Sequence, residues 1–251
     1  MVTLLAPRIQ IPSPLAPQLD DLDVAAAATE LEGAPATDIL RWAWLTIPRF
    51  CVTSSFGVDS VVLLSLVAQV SPDIPVLFLD TGYHFNESLE YRQDLQQRLG
   101  LQAVVDVTPE LSVPQQDSRY GSELYRRDPD NCCEMRKVAP LDQALRDYDG
   151  WASGLRRAQT NQRADTPVVS AVTEGGRRLL KVSPLAAWTT ADMAGHRRLH
   201  SLPIHPLAQQ GFGSIGCAPC TRPTSPEEDA RAGRWAGLSK TECGIHLPLT
   251  E

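Results

Sequence analysis

The chain has 251 residues, 43% of them apolar, and a formal net charge of −7, which suits one sizeable core and excludes the broad basic face that generic nucleic-acid binding needs. No apolar run approaches the roughly 20 residues of a membrane helix, and the first residues lack the basic stretch, long apolar run and small-residue site of a secretory leader. The expected setting is the cytoplasm, with no membrane and no nucleic acid, and any anionic ligand must be caught by local cations.

In chain order, residues 1–35 read as an N-terminal arm with a short helix around Val24 to Leu31. A second helix is expected over Asp38 to Leu45, stopped by Pro48. Short apolar runs then alternate with amphipathic segments: strand Phe50 to Thr53, helix Ser60 to Val70, strand Val76 to Asp80, helix Glu87 to Leu99 ended by Gly100, strand Ala103 to Val107, helix Glu134 to Arg146 and strand Trp151 to Leu155. This is the pattern of a parallel α/β sheet, whose ligands lie beyond the carboxyl ends of strands. A hairpin is expected from Val168 to Val172 and Leu179 to Val182 around Gly175 and Gly176, then a helix over Thr190 to Leu199 capped by Thr189 or Thr190. The last forty residues, rich in Gly, Pro and Cys, predict a loop-rich end.

Between the first strand and its helix, Ser54, Ser55, Phe56 and Gly57 precede Val58-Asp59-Ser60. Backbone amides at such a junction bind anions, although Ser and Gly there also make ordinary turns and caps. No Gly-Lys-Ser/Thr follows, so the loop is not a Walker loop. It resembles the S-x-G-x-D-S loop of the adenine nucleotide α-hydrolase-like (PP-loop-like) families, which implies their parallel-sheet α/β fold. After the second strand comes Leu79-Asp80-Thr81-Gly82-Tyr83-His84-Phe85. Asp80 there is a candidate for a ribose or backbone bond, and the aromatics are candidates for an adenine pocket, with packing an equal option for Phe85.

The six cysteines divide into four, one and one. Cys132-Cys133 and Cys217-x-x-Cys220 supply four thiols, the ligand count of structural zinc and of a 4Fe–4S cluster. Adjacent cysteines close awkwardly on one small ion, whereas a cube spreads its attachment points; geometry alone leaves zinc open. Cys51, flanked by Phe50 and Val52, belongs to the core. Cys243 stands in the polar string Lys240-Thr241-Glu242-Cys243-Gly244-Ile245-His246, where Lys240 or His246 would favour the thiolate and Glu242 would oppose it if close.

Cys132, Cys133, Arg136, Lys137 and Pro140, followed by Cys217 and Cys220, are similar to the C-C-x-x-R-K-x-x-P and C-x-x-C of bacterial cluster-containing adenylyl-sulfate reductases. The string from Lys240 to His246 resembles the E-C-G-x-H tail of sulfonucleotide reductases. Gly154-Leu155-Arg156-Arg157-Ala158-Gln159-Thr160 and Arg231-Ala232-Gly233-Arg234-Trp235 resemble two further elements of that family. The resemblance implies one 4Fe–4S cluster on Cys132, Cys133, Cys217 and Cys220, and Cys243 as nucleophile. It implies that Lys137, Arg231, Arg234 and His246 contact the phosphosulfate, with Arg156 on the nucleotide side.

The implied reaction is thioredoxin-dependent reduction of adenylyl sulfate to sulfite and AMP through S-sulfonated Cys243. The expected organisation is an arm over 1–35, an α/β domain over 36–230 and a mobile segment over 231–251; a homo-oligomer is allowed. Two rivals share these residues. An ATP pyrophosphatase would consume ATP and bind RNA, and a redox sensor would bind nucleotide without needing Cys243.

Overall fold

A computed structural model describes residues 19–174 and 176–245. Most of the expected N-terminal arm and the candidate residue His246 lie outside the described residues. Helices α1 (Val24–Leu31) and α2 (Ala36–Thr46) lead into β1 (Phe50–Ser54), α3 (Ser60–Val70), β2 (Val76–Leu79), α4 (Asn86–Leu99) and β3 (Val104–Val107). Then follow α5 (Val113–Tyr120), α6 (Leu124–Arg127), α7 (Pro129–Cys133), a π-helical turn over Glu134–Val138, and α8 (Ala139–Leu145). Strand β4 (Gly150–Ala152), the hairpin β5 (Val169–Glu174) and β6 (Arg177–Val182), and α9 (Thr190–Leu199) complete the regular elements. Beyond α9 the described chain holds short 3-10 turns and an isolated antiparallel bridge between Thr221 and Arg234.

The strands form one six-stranded sheet in the order β3-β2-β1-β4-β6-β5, parallel throughout except for β5 against β6. Successive side chains of a strand point to opposite faces, and both faces are covered. Phe50, Val52, Val76, Phe78, Ala152, Leu180 and Val182 enter one apolar core with α2 and α3, and Cys51, Leu77, Leu79, Trp151 and Leu179 enter a second with Leu141 and Leu145 of α8. Strands buried on two sides explain the near-continuous apolar runs. No helix among the described residues is long and apolar enough to cross a membrane.

Local chemistry sets the element ends. Gly100 ends α4 with φ 66° and donates to the carbonyls of Gln96 and Gln97, a left-handed cap that favours glycine. Thr189 caps α9, accepting from the Asp192 amide while Asp192 reaches back. Two expectations need correction. The helix expected from Glu134 begins five residues earlier, at Pro129, capped by the Asp128 carboxylate, and its π turn breaks the α period. The strand expected to run to Leu155 ends at Ala152; Ser153 still donates to the Val182 carbonyl at 3.0 Å, and residues 153–155 line the crevice. Helix α5, which the apolar pattern does not mark, is carried by the capping box of Ser112 and Gln115.

Gly150 shows how closely β4 packs. A Cβ there would lie 2.6 Å from the Leu180 carbonyl oxygen and 3.2 Å from Ile47 Cδ1. Gly150→Ala is therefore expected to destabilise the fold by about 1–3 kcal/mol, the usual cost of overpacking, read as a lower midpoint in chemical denaturation with an unchanged slope.

Candidate active site

The chain leaves β1 towards β2 on one side and later returns to β4 on the other. At that switch point the strands' carboxyl ends frame a crevice, here of about 220 Å³. Ser54, Ser55, Gly57 and Asp59 form one wall. The loop closes on itself: the Phe56 amide donates to Ser54 Oγ at 3.2 Å and the Gly57 amide to Ser60 Oγ at 3.0 Å. Helix α3 begins at this wall and turns the positive end of its dipole towards it.

Three of the expected residues stand elsewhere. Phe56 takes φ 49° and its ring is fully buried, edge-on to Phe78 at 5.5 Å, in the core below the crevice. Asp80 accepts from the Gly82 amide at 2.9 Å and shapes the turn after β2; its neighbours Thr81 and His84 line the crevice instead. Arg156 lies buried behind the wall, where its Nη2 donates to Asp59 at 2.6 Å while Arg197 donates to the other carboxylate oxygen at 2.9 Å. It braces the loop through Asp59. Of the aromatics, Phe85 packs edge-on against Phe212 at 5.4 Å and Tyr83 lies beside the cysteines.

The opposite wall is cationic: Lys137, Arg163, Arg231 and Arg234. Lys137 arrives through the π turn, whose i→i+5 winding shifts the phase of the residues after α7, so that Arg136 and Lys137 are both buried. Arg136 donates to the Thr81 carbonyl at 2.6 Å and to Gln116 Oε1 at 2.8 Å and stacks over Tyr83, tying the β2 turn to α5. Lys137 lines both the crevice and a smaller cavity behind it. Burial works against its charge, but Cys217, Cys243 and Cys133 outweigh it and raise its pKa.

That smaller cavity is lined by Cys132, Cys133, Cys217 and Cys220. The first pair ends α7; Cys217 precedes the 3-10 turn Ala218–Cys220 and Cys220 closes it. The Ala218 amide donates to the Tyr83 carbonyl at 2.7 Å, and Thr81 Oγ1 lies 3.4 Å from Cys217 Sγ, which docks the second pair's segment on the turn after β2. Burial, then repulsion from the neighbouring cysteines, pushes the Cys132 thiol up to about 12 and that of Cys220 up to about 11. As the side chains stand, no group of three or more His, Cys, Asp or Glu among the described residues is arranged to hold a metal ion. Four soft sulfurs that discourage one another's ionisation nevertheless form a donor set suited to a group bringing its own positive charge. Cys51 is apart from them, fully buried with its thiol towards the Gly150 carbonyl.

Cys243 lines the crevice on one side and an outer groove on the other. Arg234 reaches the crevice past Gly216 and lies 4.5 Å from the Trp235 ring centre; Lys137 and Lys240 approach the same ring at 5.7 and 5.8 Å. Glu242 is buried between Arg163 and Arg231, accepting from Arg163 at 3.0 and 2.7 Å and from Arg231 at 3.2 Å. The carboxylate expected to oppose the Cys243 thiolate is therefore matched by two guanidinium groups. Arg163 and His84 line the crevice although no sequence motif selects them; the signal for Arg163 is its charge in a segment otherwise without a core pattern.

The switch-point crevice, its serine loop and the mostly parallel sheet are those of the PP-loop-like fold. Residues 49–223 match the model of the Phosphoadenosine phosphosulfate reductase domain, and the chain belongs to that family. It is 47% identical to the adenosine 5'-phosphosulfate reductase of Streptomyces coelicolor over 88% of this chain and 92% of that protein. It is 44% identical to the protein of the same name from a Chelativorans species, over 96% of each. In fold it is similar to a phosphoadenylyl-sulfate reductase of Candida auris crystallised with phosphate, with a TM-score of 0.69 and 21% identity over 82% of this chain and all of that one.

A Cβ on Gly216 would lie 2.2 Å from Arg234 Nη2, a clash the flexible guanidinium escapes by leaving its place. Gly216→Ala is therefore expected to weaken the binding of a divalent anion such as sulfate in the crevice about tenfold by calorimetry, the loss of one charge-assisted bond, with the melting temperature unchanged.

Proposed function

We propose that the chain is an adenylyl-sulfate reductase of sulfate assimilation, reducing its substrate to sulfite and AMP at the expense of an external dithiol such as thioredoxin. The observation that carries this reading is that Cys243 shares one crevice with the serine loop and with Lys137, Arg231 and Arg234. The names of relatives 42–47% identical over most of the chain support the unphosphorylated substrate.

In this reading Ser54, Ser55, Gly57 and the start of α3 hold the nucleotide, and Lys137, Arg231, Arg234 and His246 gather the phosphosulfate oxygens. Guanidinium forks and a buried ammonium suit that charge. The Cys243 thiolate attacks the sulfate sulfur; the bond from sulfur to the bridging oxygen breaks, and its electron pair leaves with AMP. The segment 231–251 then moves away from the α/β domain of 36–230. A dithiol thiolate attacks Cys243 Sγ, sulfite departs with the bonding pair, and the second thiol of the reductant resolves the mixed disulfide. Two electrons thus pass from the dithiol to sulfur, and Cys243 is restored.

Cys132, Cys133, Cys217 and Cys220 are proposed to hold one 4Fe–4S cluster, which when bound supplies the positive centres that keep these four sulfurs ionised. Lys137, on the wall shared with the crevice, orients the phosphosulfate. Thiol exchange and thiolate-held iron both favour a reducing compartment, the cytoplasm.

Sulfite and AMP are expected in equal amounts from adenylyl sulfate with thioredoxin, and none from Cys243→Ser; ATP consumption without sulfite would overturn the reading. Anaerobically purified protein is expected to contain iron and acid-labile sulfide and no zinc. Lys137→Met is expected to lower kcat/KM by about 10²–10³, the scale for removing one preorganised donor from a developing charge, without loss of iron.

A further inference from the structure

The segment carrying Cys243 has no regular secondary structure, yet it is held on both sides of Thr241. Lys240 pairs with Asp130 at the start of α7. Two residues later Glu242, 8% exposed, receives the fork of Arg163. Arg231 adds a bond to Glu242 at 3.2 Å and one to the Thr241 carbonyl at 3.1 Å. Arg163 is itself buried and oriented by Gln159, whose side-chain oxygen also accepts from the Arg156 amide. The clamp is thus anchored to the same segment that braces the serine loop.

An acid directly before a nucleophile that must meet an anion is costly unless its charge is answered. Here one carboxylate faces two guanidiniums, so the group as a whole is cationic towards the crevice. Arg163 spends its fork on Glu242, whereas Arg231 commits only Nη2 to the tail, at the Thr241 carbonyl and Glu242, and its side chain also lines the crevice. Cys243, the next residue, separates the crevice from the outer groove, so the clamp decides which side the thiol serves.

We propose that Glu242 is the positioning residue of the tail: its carboxylate, forked by Arg163 and supported by Arg231, latches Cys243 into the crevice for sulfur transfer and must let go before the reductant can reach it. This rests on Cys243 being the nucleophile. A fork between a carboxylate and a guanidinium fixes orientation as well as distance, and removing one partner leaves a buried charge unanswered, so the neutral isostere opens the latch without changing its size.

The test uses the anaerobic holoenzyme without substrate, treated with iodoacetamide and followed by mass spectrometry of the Cys243 peptide. Glu242→Gln is expected to raise the alkylation rate of Cys243 about tenfold or more, with Cys51 still protected and iron content unchanged. Glu242→Asp, which keeps the charge, falls between the two. In single turnover with adenylyl sulfate, Glu242→Gln slows sulfonation at least tenfold, while dithiol reduction of the sulfonated enzyme is as fast as in the wild type or faster. A merely structural role would not split the half-reactions. Arg163→Gln removes the same fork from the other side and must reproduce both changes. Wild-type alkylation and sulfonation rates in Arg163→Gln overturn the latch, even where Glu242→Gln disturbs the fold. If the wild type is never sulfonated, the function fails, and the alkylation arm still judges the latch.

Discussion

The site depends on one buried ammonium. Lys137 is 8% exposed, and the groups that keep it charged against burial are sulfurs: Cys217, Cys243 and Cys133. Burial works against that charge and the three sulfurs favour it, and they come from three distant parts of the chain. The end of α7, the loop after α9 and the last described residues are drawn to one point. The π turn makes this meeting feasible, because a regular α-helix leaving Cys133 would carry Lys137 round on a different phase.

The fold prepares the rest. Parallel strands place their loops at one end of the sheet, and the reversal between β1 and β4 opens a crevice there. Residues 153–155, just past the short β4, line it, and Arg136 and the Asp59 ion pairs stiffen its two walls from behind. Those buried contacts orient groups that face the crevice without entering it. Arg156 and Arg136, adjacent in sequence to crevice residues, both work in this way.

Sequence patterns were most informative where a periodic rule applied. The ends of α1, α3 and α9 follow from apolar spacing and caps, and the two-faced burial of the sheet follows from its apolar runs. The convergence of Cys243, Lys137, Arg231 and Arg234 was legible through motif resemblance alone, since spacing cannot bring residues a hundred positions apart together. No periodic rule gives the placement of Phe56, whose ring is buried from a left-handed backbone position, or of Asp80, whose carboxylate accepts from the Gly82 amide two residues on. The pairing of Arg163 with Glu242 was hidden, since neither residue lies in a periodic segment.

The central claim is that this crevice delivers the Cys243 thiolate to the sulfur of a bound sulfonucleotide. The most direct measurement is anaerobic incubation of the protein with adenylyl sulfate and no dithiol, followed by peptide mapping by mass spectrometry. The account predicts one sulfonate, on the peptide that contains Cys243, and released AMP in equal amount. A sulfonate on another cysteine, or AMP released with none on the protein, would contradict it.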